Sequence, residues 1–282
     1  MKRITPNLDA RTVSGFGREW SIFNQSDLPE AERDSLFASY FSLFPWDSLP
    51  PNAEGFDMGC GSGRWAASAA VRVGTLHCVD ASPEALDVAR SNLTGLPNIV
   101  FHCASVGSWD VADGSMDFGY SLGVLHHVPD TAEAIASCAE KLKPGAPLLL
   151  YLYYRFDNGK PWYFVLAWRM SEVFRQVICR MRENWRHRIT DVIAAAIYWP
   201  LARLAGFAEK RGNDVGNWPL SAYRNNSFYT MRTDALDRFG TRLEQRFTRT
   251  EIMAMMVAAG LTGVQFRDDV PYWCALGYRS HP

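Results

Sequence analysis

The residues best suited to chemistry cluster between positions 57 and 127. The run DMGCGSG places Asp57 just ahead of three alternating glycines, Gly59, Gly61 and Gly63, with Cys60 between the first two. Alternating glycines let a backbone turn sharply and approach a ligand closely, and the N–H groups of a following helix start point at it. A dinucleotide-binding turn reads G-x-G-x-x-G. Here Arg64 stands where that third glycine would fall. Asp80 closes the apolar run LHCV, and a carboxylate at a strand end can accept both hydroxyls of a ribose. His126 and His127 follow in GVLHHVPD. A histidine can take a proton from an acceptor near neutral pH. Each residue also has a plain structural reading. Asp57 could cap the turn, Asp80 could be a solvated strand end, and either histidine could be a satisfied interior group.

These residues need a scaffold, and its pattern is legible. EGFDM (54–58), TLHCV (75–79), NIVFHC (98–103), MDFGYS (116–121) and PLLLYLYY (147–154) read as strands. Helical segments fall between them, including SGRWAASAAVRV, SPEALDVARSNL and a stretch near 131–142. Strand and helix in strict alternation predict parallel βαβ units. Ser82-Pro83 reads as a helix start, and Lys143-Pro144-Gly145 as a stop and turn. Thr248 and Glu251 form a capping box opening EIMAMMVAAG; two strands, 261–267 and 272–279, then close the chain around a turn at 268–271. Upstream, a helix is expected from about Pro29 to Phe44.

With these motifs in order, the chain resembles the class I S-adenosylmethionine-dependent methyltransferases, and within them the branch that includes ubiquinone and menaquinone biosynthesis enzymes (methyltransferase type 11). The resemblance rests on DMGCGSG, CVDAS, DGSMDFGYSLGVLHHVPD, LKPGAPLLL and FTRTEIMAMMVAAGL. It implies an α/β fold: a Rossmann-like, doubly wound, mostly parallel seven-stranded sheet with an antiparallel last strand. It implies S-adenosyl-L-methionine as cofactor and S-adenosyl-L-homocysteine as product. Asp57, Gly59, Cys60, Gly61 and Gly63 would cradle the methionine end. Asp80 would hold the ribose, and Ala81 would lie against the adenine. Ser121, Leu122 and Gly123 would line the cofactor near its sulfonium. His127, the better match, and His126 would be the catalytic candidates at the site mouth. The family usually reads Gly-Asp-Ala after the third strand. This chain has Ala104-Ser105-Val106, so Ser105 offers one hydrogen bond without the charge.

Three regions are expected: a helical extension (1–53), the cofactor-binding core (54–154 and 247–282), and a largely helical insertion after the fifth strand (155–246) that would act as a substrate lid. The whole chain of 282 residues carries a net charge of −1, which excludes a strongly basic nucleic-acid binder and a charged, core-poor disordered chain. The insertion, however, holds 16 Lys and Arg against 9 Asp and Glu, leaving the remainder at −8. It also holds 15 of the 37 aromatic residues. Arg169, Glu172, Arg175, Arg180 and Glu183 form a polar stripe on its first helix, expected to be the solvated face over an apolar core face. The apolar run 192–208 is shorter than the ~20 residues of a membrane span and contains Pro200 and Arg203, so a buried or lid helix is expected there.

The function expected is methyl transfer to a small or medium-sized anionic small-molecule acceptor, with Tyr229, Arg232 and Arg238 as substrate-binding candidates. A salt-bridge cluster is the alternative role for these three. Phe16, Arg18 and Trp20 are candidates to fold over the cofactor. Two other functions stand beside the first: methyl transfer to a lipid-like or prenylated acceptor with peripheral membrane contact, and cofactor binding without catalysis. The modest, aromatic-laden basic excess and the lack of an Asn-Pro-Pro-Tyr motif argue against nucleic acid. The six cysteines form no CxxC pair and no zinc spacing, so no metal is expected. No signal peptide is legible, and a cytoplasmic location is expected.

Overall fold

In the computed structural model, residues 7–155, 162–269 and 273–281 are described. Part of the expected 268–271 turn, the first residue of the last expected strand, and residues 156–161 of the insertion lie outside that set. Seven strands form one sheet: β1 (Glu54–Met58), β2 (Thr75–Asp80), β3 (Ile99–Cys103), β4 (Phe118–Leu122), β5 (Pro147–Tyr151), β6 (Leu261–Phe266) and β7 (Cys274–Arg279). Their order is β3-β2-β1-β4-β5-β7-β6. β1 to β5 pair in parallel, and β7 runs antiparallel to both of its neighbours. This is the expected doubly wound sheet. Strand order reverses between β1 and β4, and ligands of such sheets bind outside the carboxyl ends of the strands at that point.

The inner strands β1, β2, β4, β5 and β7 are buried on both faces, while the edge strands β3 and β6 are partly exposed. Phe56, Leu76, Phe118, Tyr120 and Leu148–Leu150 are almost wholly buried. Around the sheet lie α1 (Ala10–Ile22), α2 (Glu30–Tyr40), α3 (Ala66–Ala70), α4 (Pro83–Asn92), α5 (Thr131–Lys141) and α10 (Arg249–Ala258). Ser82 caps α4 with Pro83 in its first turn, and the Thr248–Glu251 capping box opens α10 as its sequence predicts. α2 ends at Tyr40, short of the expected Phe44. Phe41 and Phe44 turn inward instead and pack around Trp46, at ring separations of 5.4 and 4.4 Å. Burying two more aromatic rings outweighs one further helical turn.

The chain divides into two compact units. The first comprises 1–26, 33–155 and 243–282 and contains the whole sheet; the second comprises 27–32 and 156–242. The second is helical: α6 (Trp162–Ile178), α7 (Glu183–Ile193), a π-helical turn (Ala194–Tyr198), α8 (Trp199–Lys210) and α9 (Phe228–Gly240). Ala194, Ala202 and Ala235 sit in its core with Tyr198, Met231 and Phe239. Their small side chains let the helices pack closely. Glu32 ties 27–32 into this unit by accepting hydrogen bonds from Ser227 N and the Thr230 hydroxyl.

Candidate functional site

A cavity opens in the first unit where β1, β2 and β4 end. Its floor is the backbone of Gly59 to Ser62, its sides are Asp80, Ala81, Ser105 and Leu122 to Val124, and α1 covers it. The glycine loop is pinned to the end of β2. Gly59 N and Cys60 N both donate to the Val79 carbonyl, at 2.7 and 3.0 Å. Gly61 N donates to Asp80 Oδ2 at 2.9 Å, and Ser82 N donates to Asp80 Oδ1 at 2.9 Å. Asp80 therefore stands fixed at the cavity wall with acceptor capacity remaining on both oxygens. Burial raises its pKa, against the pull of the Ser82, Gly61 and Ala81 amides.

Two glycines are dictated by close approach. At Gly61 (φ +54°) a Cβ would stand 2.8 Å from the Trp20 indole nitrogen. At Gly59 (φ +79°) it would strike Val124. Gly63 has a different role. It does not line the cavity; a Cβ there would meet Leu93 and Ala89, so its small size serves the packing of the loop on α4.

Asp57 also stands behind the cavity rather than in its lining. It is buried, and neither carboxylate oxygen makes a hydrogen bond of full geometry. Burial pushes its pKa from 3.8 up to about 8; the nearby Tyr120 hydroxyl pulls the other way, and the Asp80 charge adds to the rise. Ser121 is likewise turned inward, donating to the Met58 carbonyl at 2.7 Å, whereas Leu122 and Gly123 do line the cavity. Ser105 lines it too, but its hydroxyl is already engaged by Ser108 at 2.8 Å.

The two histidines part company. His127 lines the cavity, its Nδ1 2.7 Å from the Leu243 carbonyl and its ring 4.9 Å from that of Phe16. His126 points away into the interior, where it stacks on Tyr153 at 3.9 Å. Neither His126 nitrogen has a hydrogen-bond partner among the described residues. Burial, the neighbouring His127 and Arg246 all hold its pKa well below the usual histidine range. The turn carrying both is laced down by a distant segment: Gln245 N donates to the His126 carbonyl, and the Gln245 side chain donates to the Val128 carbonyl. Nothing local in the sequence marks Leu243 or Gln245, because their partners lie more than 110 residues away.

From α1, Thr12, Val13, Phe16 and Trp20 face the cavity. Arg18 does not; it is exposed and donates to Ser14 Oγ. Asn7, Leu8 and Asp9 also line the cavity and carried no sequence signal. Tyr229, Arg232 and Arg238 all lie on α9 in the second unit. Arg232 makes a bidentate pair with Asp191 at 2.8 and 2.9 Å, and Arg238 reaches Glu172 at 3.1 Å. Each of the two arginines is thus held in its own ion pair within the second unit. Among the described residues no group of His, Cys, Asp and Glu is arranged to hold a metal ion.

The cavity fits S-adenosylmethionine in three ways. The glycine loop (59–62) offers bare backbone as the floor, a fixed carboxylate with free acceptor sites is Asp80, and an apolar wall is formed by Val79 and Val106. Comparison with known proteins agrees. The methyltransferase domain family matches residues 56–150. Ubiquinone biosynthesis O-methyltransferase of Xanthomonas campestris pv. campestris (strain B100) is 30% identical over 186 residues, covering 65% of this chain and 73% of the relative. The enzyme of the same name from Xanthomonas oryzae pv. oryzae (strain PXO99A) is 32% identical over 182 residues, covering 63% and 71%. Among solved structures, a chain of the Haloferax volcanii complex with the Trm112 methyltransferase activator superposes with a TM-score of 0.52 at 13% identity, covering 94% of this chain and 98% of that one. That likeness speaks for the fold. The chain belongs to the class I S-adenosylmethionine-dependent methyltransferases. It is an enzyme, and S-adenosylmethionine is its cofactor.

Proposed function

We propose that the protein transfers a methyl group to a hydroxyl oxygen of an acceptor with a lipid-like body. The geometry of His127 carries this reading. The Leu243 carbonyl can only accept, so His127 donates Nδ1–H to it, and in the neutral ring the lone pair is then on Nε2. His127 lines the cavity, and a ring held in that tautomer suits removal of a hydroxyl proton as the new C–O bond forms, with Nε2, covered in the ligand-free chain, uncovered as the acceptor binds. S-adenosylmethionine, when bound, supplies a methyl group already activated on a sulfonium. The chain must then hold the acceptor in line and exclude water, which is a matter of positioning. Phe16 and Trp20 of α1 give the cavity an apolar cover suited to that task.

The Xanthomonas relatives are named for transfer to oxygen in ubiquinone biosynthesis, which supports the choice of atom and of an apolar acceptor. The basic surplus of 155–246 would also suit a small anionic acceptor. Arg175 and Arg238 are engaged by Glu172, Arg224 by Glu209 and Arg232 by Asp191, so that second reading has less support. The test is turnover with a catechol bearing an apolar tail and with the tail-less catechol, the product read by mass spectrometry. A methyl ether formed preferentially on the tailed compound is expected. His127→Asn should lower kcat by about 10²–10⁴-fold while leaving S-adenosylhomocysteine affinity within a few-fold. Methylation confined to ring carbon, no preference for the tailed compound, or full activity in the variant would sink the reading.

A further inference from the structure

α6 is built inside out. Its Glu172–Arg175 pair looks into the second unit: Arg175 is 8% exposed, and its guanidinium meets Glu172 and the Thr241 carbonyl. Arg238 of α9 closes the same cluster on Glu172. Its apolar face looks outward. Trp162, Leu166, Met170, Val173, Phe174 and Val177 are all at least half exposed, Trp162 reaching 76%. At 3.6 residues per turn these six fall within about 120° of arc, a continuous stripe along four turns. Water is a poor neighbour for such a stripe, since soluble chains rarely leave contiguous apolar patches of this extent uncovered. The polar stripe was expected outside and the apolar face inside. The structure turns Glu172 and Arg175 inward, where they and Arg238 satisfy one another within the unit, and leaves Arg169 and Arg180 exposed beside an exposed apolar face.

We infer that the outer face of α6 docks on an anionic phospholipid bilayer, lying along the surface rather than crossing it. Charge selects the occupant. Glu172 is the only acidic residue between 162 and 182, and it faces inward. Arg169 borders the stripe, and Arg180 and Arg182 follow its end, all exposed. An apolar stripe rimmed by arginines matches the acyl and headgroup layers of an anionic membrane. A second copy fits poorly, because a two-fold contact would set the basic rim against itself. α6, at 17 residues, is shorter than the ~20 of a typical span and carries Arg169, Glu172 and Arg175 within it. The stretch Glu183–Lys210 has the length and composition to cross a membrane. Its Ala194, Tyr198 and Ala202 are core residues of the unit, however, and Arg203 donates to the Arg224 and Asn226 carbonyls. Docking along the surface leaves those contacts intact. It deepens the reading of a lipid-like acceptor by saying where that acceptor is met, and to that extent rests on it.

The test is flotation of the full chain with phosphatidylcholine vesicles, with and without phosphatidylglycerol, at low and high salt. Co-flotation with the anionic vesicles at low salt is expected, with much weaker binding to the neutral ones. Val173→Glu with Phe174→Glu should abolish it. Arg169→Gln and Arg180→Gln should each lower the partition about fivefold. All four positions are exposed, and unchanged circular dichroism and S-adenosylhomocysteine affinity verify that each variant is folded. No flotation by the wild type, equal binding to both vesicles, or normal flotation of the glutamate variant overturns the inference. So does sedimentation showing a dimer that Phe174→Glu dissociates, which would assign the face to a second copy. Methyl transfer to a detergent-dispersed tailed catechol reports separately on the acceptor reading, so either proposal can fail alone.

Discussion

At the scale of single residues, Asp80 is the most exacting group. It organises the glycine loop through Gly61 N while presenting acceptors to the cavity. Losing hydrogen bonds to a charged acceptor costs about 1.5–3 kcal/mol each, so Asp80→Ala should weaken S-adenosylhomocysteine binding by roughly 10²-fold or more in calorimetry. His126 makes the opposite prediction. It is buried and neutral, with two unsatisfied nitrogens. Its folded pKa lies below the unfolded one, so unfolding takes up a proton and stability falls as pH drops below the usual histidine value. His126→Phe keeps the stack on Tyr153 and removes that liability. Its thermal unfolding should be less acid-sensitive than wild type, and a catalytic His126 would be exposed by loss of turnover. Asp57 titrates in the other direction. Its carboxyl is raised to about 8, so from about pH 4 to 8 the unfolded chain has lost a proton that the folded chain keeps. The ligand-free protein should therefore lose stability as pH rises through that window, by several kcal/mol in all. Asp57→Asn should flatten the profile of Tm against pH; parallel curves for the two proteins would contradict this assignment.

At the scale of elements, the glycine loop and α1 form one device. The φ of +54° at Gly61 and the approach of Trp20 both exclude a side chain there. Gly61→Ala should lower stability by about 1–3 kcal/mol and weaken cofactor binding. Adding Trp20→Ala should relieve the clash but not the backbone strain, so the pair should be measurably non-additive in denaturant unfolding. In the second unit, the Glu172 cluster joins α6 to α9. Burial opposes ionisation of Glu172, yet its pairs with Arg175 and Arg238 outweigh that and hold its pKa below the usual range. Glu172→Ala would leave two largely buried guanidiniums without their carboxylate, at a cost of about 3–5 kcal/mol. A Tm close to wild type would mean that the cluster is not what orients α6.

At the scale of the whole molecule, the near-zero net charge conceals a basic helical segment and an acidic remainder. The sheet was legible because its signals are local. Period, caps and turn residues name the strands, and alternation with helices leaves few topologies. The glycine loop and Asp80 were legible because a tight turn and a strand end fix where a side chain points. Gly63, Asp57, Ser121 and His126 share those motifs but face away from the cavity. A motif gives the residues in order, while the direction of each side chain depends on what packs behind it. Leu243 and Gln245, which hold the His127 turn, come from the far side of a long insertion and left no local trace. α6 separates the two kinds of knowledge most clearly. Its sequence alone determines that one face is apolar and the other charged, because periodicity is a property of the helix itself. Only tertiary structure decides which face is outside, because that depends on whether a buried charge finds its partner, and Arg238 stands 66 residues from the Glu172 it meets.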